Sequence, residues 1–252
     1  MHLDVVDLRE FYESRLGQVA RRLVRRQIRE FWPDVHGLSV LGLGYATPFL
    51  RPFLNEAERV IAVMPAAQGV AQWPPEGPNV VALAEERELP LADVSVDRIL
   101  IVHALETSES VRPMMRQAWR VLAPSGRLIV VAPNRRSLWA QIETTPFGHG
   151  HPYTRSQLSR LLRDCMFTPG QFRASLHMPP FASRLLTRTG NGWERVGKRL
   201  WPGMSGVLIA EAIKQVYGVT PLRESVKEGA RVRVLKPVRG GAAMKRGETS
   251  AE

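Results

Sequence analysis

Two histidines and a tyrosine stand close together in a segment rich in proline and glycine, residues 145–153. Imidazole titrates near neutral pH, so His149 and His151 could take a proton from a reacting group or bind a ligand, with Tyr153 beside them. These side chains would serve equally well as hydrogen-bonding residues of an ordinary loop, and that alternative stays open. The His-x-His pair has no third ligand at a matching spacing, so we predict no metal site.

A second candidate is a pair of glycines, Gly42 and Gly44, where a short apolar run turns towards a helix that starts near Thr47. Glycine at such a turn lets the backbone approach a nucleotide or nucleoside closely, and the N-terminus of the helix adds a favourable field. A lone Gly-x-Gly is also typical of an ordinary turn between a strand and a helix. The pair therefore indicates a ligand site only if other motifs support it.

Short apolar or β-branched runs alternate with helical patterns along the middle of the chain. The runs at residues 97–102 and 127–132 are continuously apolar, as in a parallel sheet that is covered on both faces. Helices are predicted over residues 4–31, 110–121 and 155–165. Strands are predicted over residues 39–43, 59–64, 79–83, 97–102 and 127–132.

This alternation predicts an α/β fold: a doubly wound, mostly parallel, seven-stranded sheet of the Rossmann-like kind. Two late strands are expected near residues 171–177 and 206–212, with a helical insertion at 181–203 before the last strand. The expected domains are an N-terminal helical cap (1–36), the α/β domain (37–220) and a basic, disordered tail (221–252).

Composition and charge exclude several classes of protein. The chain has 252 residues, 44% of them apolar, which fits one globular domain with an appendage. Cys165 is the single cysteine, so no intramolecular disulfide and no cluster of thiolates can form. We find neither a secretory leader nor an apolar run long enough to span a membrane, and we expect a cytoplasmic protein.

The chain is basic, with 35 Lys and Arg against 24 Asp and Glu, a net charge of +11. Residues 221–252 hold eight basic and four acidic residues, which is +4. A solvated tail explains this segment best, and an arm for nucleic acid is a less favoured alternative.

An ordered series of short motifs runs from residue 85 to residue 128. It reads Glu-Glu-Arg-Glu-Leu-Pro-Leu, then Val-Asp-Arg-Ile-Leu, then His-Ala-Leu-Glu, and finally Arg-Val-Leu-Ala-Pro-Ser-Gly-Arg-Leu. In this series the sequence resembles the class I S-adenosylmethionine-dependent methyltransferases, particularly the type 11 branch that acts on small molecules. The resemblance covers residues 38–167. It implies the fold above, S-adenosylmethionine as cofactor, and methyl transfer.

The family's glycine-rich motif falls on residues 40–48, with Gly44 at its best-kept glycine. Met64 stands where the family has the acid that holds the ribose hydroxyls. Glu85 matches the acidic position near the adenine amine, and His103 matches the residue after strand four that lines the cofactor. The cofactor contacts that the resemblance implies are Gly42, Gly44, Tyr45, Ala46, Met64, Pro65, Glu85 and His103.

Loss of the ribose carboxylate at Met64 would weaken cofactor binding about 10- to 100-fold, because a hydrogen bond to a charged group contributes about 1.5–3 kcal/mol. We favour a small-molecule methyltransferase whose substrate lies under the His149–Tyr153 loop and the N-terminal helix near Tyr12. Two alternatives remain: a non-catalytic binding protein with the methyltransferase fold, and an RNA methyltransferase.

Overall fold

A computed structural model describes residues 4–180, 194, 197, 199 and 203–215 of the chain. Within this part the seven predicted strands are present. Their bounds are β1 Ser39–Gly44, β2 Arg59–Pro65, β3 Val81–Ala84, β4 Val96–Val102, β5 Leu122–Pro133, β6 Phe167–Ser175 and β7 Val207–Lys214.

These strands form one sheet in the order β3-β2-β1-β4-β5-β7-β6. The first five are parallel to one another, and β7 is antiparallel to both β5 and β6. The prediction of a mostly parallel, seven-stranded, Rossmann-like sheet is therefore confirmed. Residues 124–126 lie inside β5, where the pairing with β4 shifts between Val96–Leu122 and Arg98–Arg127.

The N-terminal segment differs from the single helix predicted for residues 4–31. It forms two helices, α1 (Val5–Glu13) and α2 (Arg15–Phe31), separated by Ser14 in an extended conformation. Ser14 caps α2, since its hydroxyl accepts a hydrogen bond from the Gly17 amide at 3.0 Å. A Cβ on Gly17 would lie 1.8 Å from the carbonyl oxygen of Phe11, so the bend requires glycine there.

Three further helices follow, α3 (Thr47–Leu50), α4 (Val111–Val121) and α5 (Arg155–Asp164). Neighbouring residues of a strand point to opposite faces of the sheet. Val40 accordingly packs in the core shared with α1, α2 and α3, while Leu41 packs in the core shared with α4 and α5. Coverage of both faces explains why the strands are apolar throughout.

The predicted helical insertion at 181–203 lies mostly outside the described residues; positions 194, 197 and 199, which are described, are helical. Contacts divide the chain between Val216 and Tyr217, and the segment beyond, with the predicted tail, is also outside the described residues. Among the described helices, none has the length and apolar character needed to cross a membrane.

Candidate functional site

His103 follows β4 directly, at the carboxyl edge of the sheet where β1 and β4 end side by side as Gly44 pairs with Val102. Ligands of open α/β sheets bind at this edge. The backbone of His103 has φ of 53°, in the left-handed region that disfavours every residue with a side chain. Such strain persists where the surroundings hold the residue in place, and it is concentrated at functional sites.

The His103 ring is hydrogen-bonded at both nitrogens. Nε2 lies 2.7 Å from the Tyr12 hydroxyl, and Nδ1 lies 3.0 Å from Oε1 of Glu106. The carboxylate can only accept, so Nδ1 carries the proton and Nε2 accepts from the phenol. Tyr12, His103 and Glu106 are 3%, 1% and 1% exposed. They form a buried chain along which a proton can move from the phenol to the imidazole, which the carboxylate then stabilises.

Burial raises the pKa of Tyr12 well above its usual value, and the nearby Glu106 and Tyr45 raise it further. The phenol therefore keeps its proton and acts as a donor to His103. Oε2 of Glu106 is buried without a hydrogen-bond partner among the described residues.

The segment with the predicted catalytic residues packs against this chain. The ring of Phe147 lies 5.1 Å from that of His103, and the amide of His151 donates to the carbonyl oxygen of Glu106 at 2.8 Å. Gly150 has φ of 73°, and a Cβ there would lie 2.2 Å from the same carbonyl oxygen. Glycine is thus required for the loop to approach Glu106 this closely.

The two predicted catalytic imidazoles lie away from the buried chain, whereas the Tyr153 side chain lies close to it. The imidazole of His151 is exposed, and Nε2 of His149 lies 2.7 Å from the carbonyl oxygen of Glu143. Burial, and to a smaller extent the charge of Glu106, raises the pKa of Tyr153 to about 12. The Tyr153 hydroxyl lies 3.5 Å from the carbonyl oxygen of Leu105. The structure brings Tyr153 near Glu106 and leaves both imidazoles at the periphery.

The two glycines of the Gly-x-Gly motif are explained by packing within the domain. A Cβ on Gly42 would lie 2.5 Å from Cδ1 of Leu50 in α3. A Cβ on Gly44, where φ is 81°, would lie 2.3 Å from the Val102 carbonyl oxygen and 2.7 Å from Cβ of Ala104. Both positions face neighbouring elements, so any side chain at Gly44 disrupts the join of β1 and β4.

Two cavities lie beside His103. The larger, about 690 Å³, is named here the arginine cavity after Arg9, Arg21, Arg25 and Arg51. The predicted contacts Tyr45 and Met64 also line it. Its volume is in the range of small-molecule sites.

The smaller cavity, about 290 Å³, is named here the glutamate cavity after Glu85 and Glu86. Pro65 and Gln68 line it from the β2 side. Oε1 of Glu86 already accepts from the Ser108 hydroxyl at 2.7 Å, while Glu85 is exposed. Glu85 is therefore free to turn towards a ligand in this cavity.

His103 is hydrogen-bonded to one lining residue of each cavity. Gln68 lines the glutamate cavity and donates from Nε2 to the His103 carbonyl oxygen at 2.8 Å, while Tyr12 lines the arginine cavity. Because Gln68 follows β2 and His103 follows β4, their hydrogen bond crosses the end of β1, which lies between those strands.

The residues fit S-adenosylmethionine in part. The two cavities give room at the ends of β1 and β2, and Glu85, the residue that the resemblance places near the adenine amine, lines the smaller one. Met64 is fully buried and Ala46 has no exposed surface, so neither offers a polar contact to the ribose. A nucleoside laid across β1 also needs the Gln68–His103 hydrogen bond to open.

Sequence reasoning missed Gln68 and the arginines of the larger cavity. The spacing of Arg21 and Arg25, four residues apart on α2, places both on one face of the helix and could have indicated them. The sequence placed Tyr12 and His103 near the site but did not predict that their side chains are in contact.

Comparisons with known proteins agree with this architecture. Residues 40–130 match the family model described as a methyltransferase domain. No curated protein matches the chain.

Similar solved structures include a S-adenosylmethionine-dependent methyltransferase from Thermotoga maritima, 17% identical with a TM-score of 0.59, covering 84% of this chain and 96% of the other. Another from Archaeoglobus fulgidus is 20% identical with a TM-score of 0.54, covering 77% and 94%. The 1,6-didemethyltoxoflavin-N1-methyltransferase of Burkholderia thailandensis, solved with S-adenosylhomocysteine bound, is 16% identical with a TM-score of 0.51, covering 81% and 80%.

The methyltransferase-domain match and these structures support S-adenosylmethionine as the cofactor. The same findings, with the sheet order described above, show that residues 40–130 match a methyltransferase domain and that the described part of the chain has the fold of the class I S-adenosylmethionine-dependent methyltransferases.

Proposed function

We propose that this protein transfers a methyl group from S-adenosylmethionine to a small molecule, and that Tyr12, His103 and Glu106 remove the proton of the acceptor. The observation that supports this most directly is the buried hydrogen-bonded chain of these three residues at the end of β4. When bound, S-adenosylmethionine supplies an activated methyl group.

The chain's own residues handle the proton. Tyr12 lines the arginine cavity, so its hydroxyl oxygen can accept the proton of an acceptor O–H or N–H group while its own proton passes to Nε2 of His103. The imidazolium that forms is stabilised by Glu106 at Nδ1. The acceptor loses one proton and gains one methyl group, and the proton rests on His103 until solvent removes it.

The loop with His149, His151 and Tyr153 covers the Glu106 side of this chain, and we assign it to the acceptor side of the site. The exposed imidazole of His151 is available to a substrate that enters from solvent. We place the activity in the cytoplasm, in keeping with the single cysteine, Cys165, whose thiol is buried and has a pKa raised mainly by that burial.

Two measurements on the full chain test this proposal. Calorimetry with S-adenosylmethionine and with S-adenosylhomocysteine is expected to give heat of binding at micromolar to millimolar ligand. Incubation of the protein with trideuteriomethyl-labelled cofactor and a pool of small metabolites is expected to give a labelled product by mass spectrometry. Absence of heat at millimolar ligand would remove the proposal.

A second candidate is a protein with this fold that has lost catalysis. The observation in its favour is that Tyr12 and Gln68 both hold His103 over the end of β1, where the ribose would lie, and that Met64 replaces the carboxylate.

Gln68→Ala separates the two candidates. If the protein is a transferase whose cleft must open, removal of this hydrogen bond increases the fraction of molecules that can bind the ligand. Its affinity for S-adenosylhomocysteine then rises about 2- to 10-fold, the equivalent of about 0.5–1.5 kcal/mol. Gln141→Ala, which changes an exposed residue that lines neither cavity, is the control. If neither the wild type nor Gln68→Ala binds at millimolar ligand in calorimetry, the non-catalytic candidate is correct.

A further inference from the structure

The arginine cavity carries an excess of positive charge. Arg9 comes from α1, Arg21 and Arg25 from α2, and Arg51 from the turn after α3. Glu13 is the only acidic side chain among the described residues that line the cavity. Three separate segments therefore bring guanidinium groups to one hollow.

Most of this charge has no counter-ion among the described residues. Arg51 is paired with Glu76, with nitrogen–oxygen distances of 2.8 and 3.2 Å. Arg25 donates from Nη2 to the Pro48 carbonyl oxygen at 2.5 Å, but its Nε is buried without a partner. The guanidinium groups of Arg9 and Arg21 form no hydrogen bond or ion pair with a described residue.

The charges also act on one another. Burial lowers the pKa of Arg25, and the neighbouring charges of Arg21 and Arg51 lower it further. Guanidinium groups held together without an anion repel, and an anion placed among them removes both the repulsion and the unpaired donor.

The walls of the cavity are apolar and aromatic. Tyr45 and Trp73 line it, with Met64 beside them. The ring of Tyr12 stacks on that of Tyr45, with centroids 5.9 Å apart and planes inclined at 20°. A flat apolar body fits such walls. Tyr12, the first residue of the proton-accepting chain, also lines the cavity.

We propose that the arginine cavity binds a small organic anion, a planar apolar body that carries a carboxylate or a phosphate, with Arg9, Arg21 and Arg25 holding the anionic group. The inference rests on the proposed function in one respect: this anion is the methyl acceptor. S-adenosylmethionine carries a carboxylate as well as a sulfonium and an ammonium group, and is therefore a net cation. A field of arginines favours a net anion such as the proposed acceptor over the cofactor as the occupant.

Calorimetry of the full chain with 2-naphthoate, 2-naphthyl phosphate and the neutral 2-naphthamide tests this proposal. We expect at least one of the two anions to bind at least about tenfold more tightly than the amide, since a charge-assisted hydrogen bond contributes that much. The stronger of the two anions identifies the acidic group. Equal affinity for the anions and the amide overturns the proposal, as does no binding of either anion.

The double variant Arg9→Gln and Arg21→Gln is expected to weaken binding of the anion at least about tenfold and to leave that of the amide unchanged. Arg22→Gln, an exposed neighbour on the same helix that does not line the cavity, is the matched control. An equal loss in the control contradicts the proposal. If the double variant unfolds, a salt titration of the wild type replaces it: affinity for the anion must fall with added NaCl while that for the amide does not.

This experiment needs no cofactor. Binding of the anion without any heat from S-adenosylmethionine would keep the anion site and reject the proposed function. Heat from S-adenosylmethionine without binding of either anion would keep the proposed function and reject the anion site.

Discussion

His103 has a left-handed backbone and a buried ring, a combination that lowers the stability of the folded state. A non-glycine residue in this region costs about 1–2 kcal/mol, and burial of an imidazole adds the cost of desolvation. Tyr12, Glu106 and Gln68 offset these costs by hydrogen-bonding both ring nitrogens and the carbonyl oxygen. If this position had only a structural role, glycine would adopt the same backbone conformation without strain, and the three hydrogen bonds would not be needed.

Tyr12→Phe removes the entrance of the proton-accepting chain. We expect the rate of methyl transfer to fall about 10²- to 10⁴-fold, the usual contribution of general acid–base catalysis. The free energy of unfolding should fall by about 1–3 kcal/mol, because Nε2 of His103 loses its buried partner.

Labelled-methyl transfer and urea denaturation measure these two effects. Tyr153→Phe is the comparison, since its hydroxyl makes only a 3.5 Å contact. A larger loss of activity in Tyr153→Phe than in Tyr12→Phe would move the proton acceptor to the His149–Tyr153 loop.

The tyrosines also predict how stability depends on pH. Burial raises the pKa of Tyr45 and of Tyr153 to about 12, and that of Tyr12 well above its usual value. In the unfolded chain all of them ionise near pH 10, so the unfolded state binds fewer protons than the folded state above that pH. Stability is therefore fully present below pH 10 and is lost as pH rises from 10 through 12.

Absorbance of tyrosinate measures this directly. At most one of the four tyrosines should ionise near pH 10 in the folded protein, and the others only with unfolding. Ionisation of three or more near pH 10 while the far-ultraviolet circular dichroism stays native would show that these phenols are not buried.

At the scale of elements, Arg120 on α4 joins the helix to the segment between β3 and β4. Its guanidinium donates to the carbonyl oxygens of Leu89 and Leu91 at 2.9 and 2.8 Å, and to Asp93 at 2.6 Å. The segment begins with Glu85 and Glu86, which line the glutamate cavity. A single side chain thus secures one wall of the expected adenine end of the cofactor site.

Arg120→Met should lower the free energy of unfolding by about 1–3 kcal/mol, since two backbone carbonyl groups lose their charged donor. Urea denaturation checks this value. Arg116→Met on the same helix changes an exposed arginine and is expected to shift stability by less than about 0.5 kcal/mol. An equal effect in both variants would mean that the hydrogen bonds of Arg120 contribute nothing.

On the scale of the whole molecule, the positive charge is spread over two parts of the chain. Residues 217–252 hold eight basic and four acidic residues, so +4 of the total of +11 lies beyond Val216. The arginine cavity belongs to the other part. Binding of a small anion and attraction of a polyanion such as RNA can therefore be separated experimentally.

A chain that ends at Val216 is expected to bind S-adenosylhomocysteine within about twofold of the full chain, because every residue assigned to the site lies before that point. Its affinity for a random RNA oligonucleotide should be lower, and should depend less steeply on salt, since fewer phosphates are neutralised. Calorimetry and fluorescence anisotropy measure the two affinities. Loss of methyl transfer without loss of cofactor binding would show that the acceptor is recruited through residues 217–252.

The sequence alone was sufficient to predict the mostly parallel, seven-stranded sheet and the order of its elements along the chain. Continuous apolar runs such as β4 and β5 report burial on both faces, which only a sheet between two helical layers provides. The motifs from residue 85 to residue 128 then indicated the superfamily. The single N-terminal helix was wrong, because the periodicity of α1 and α2 continues through Ser14 while the close approach of Gly17 to Phe11 bends the chain.

Which side chains meet was decided by tertiary structure. Tyr12 and His103 are 91 residues apart in sequence, and no local pattern states that α1 crosses the end of β4. Periodicity records which residues are buried, but contacts between elements depend on the angle and register at which they pack. The proton-accepting chain, the Gln68 crossing and the arginine cavity all arise from such packing, and for that reason they emerge only from the folded molecule.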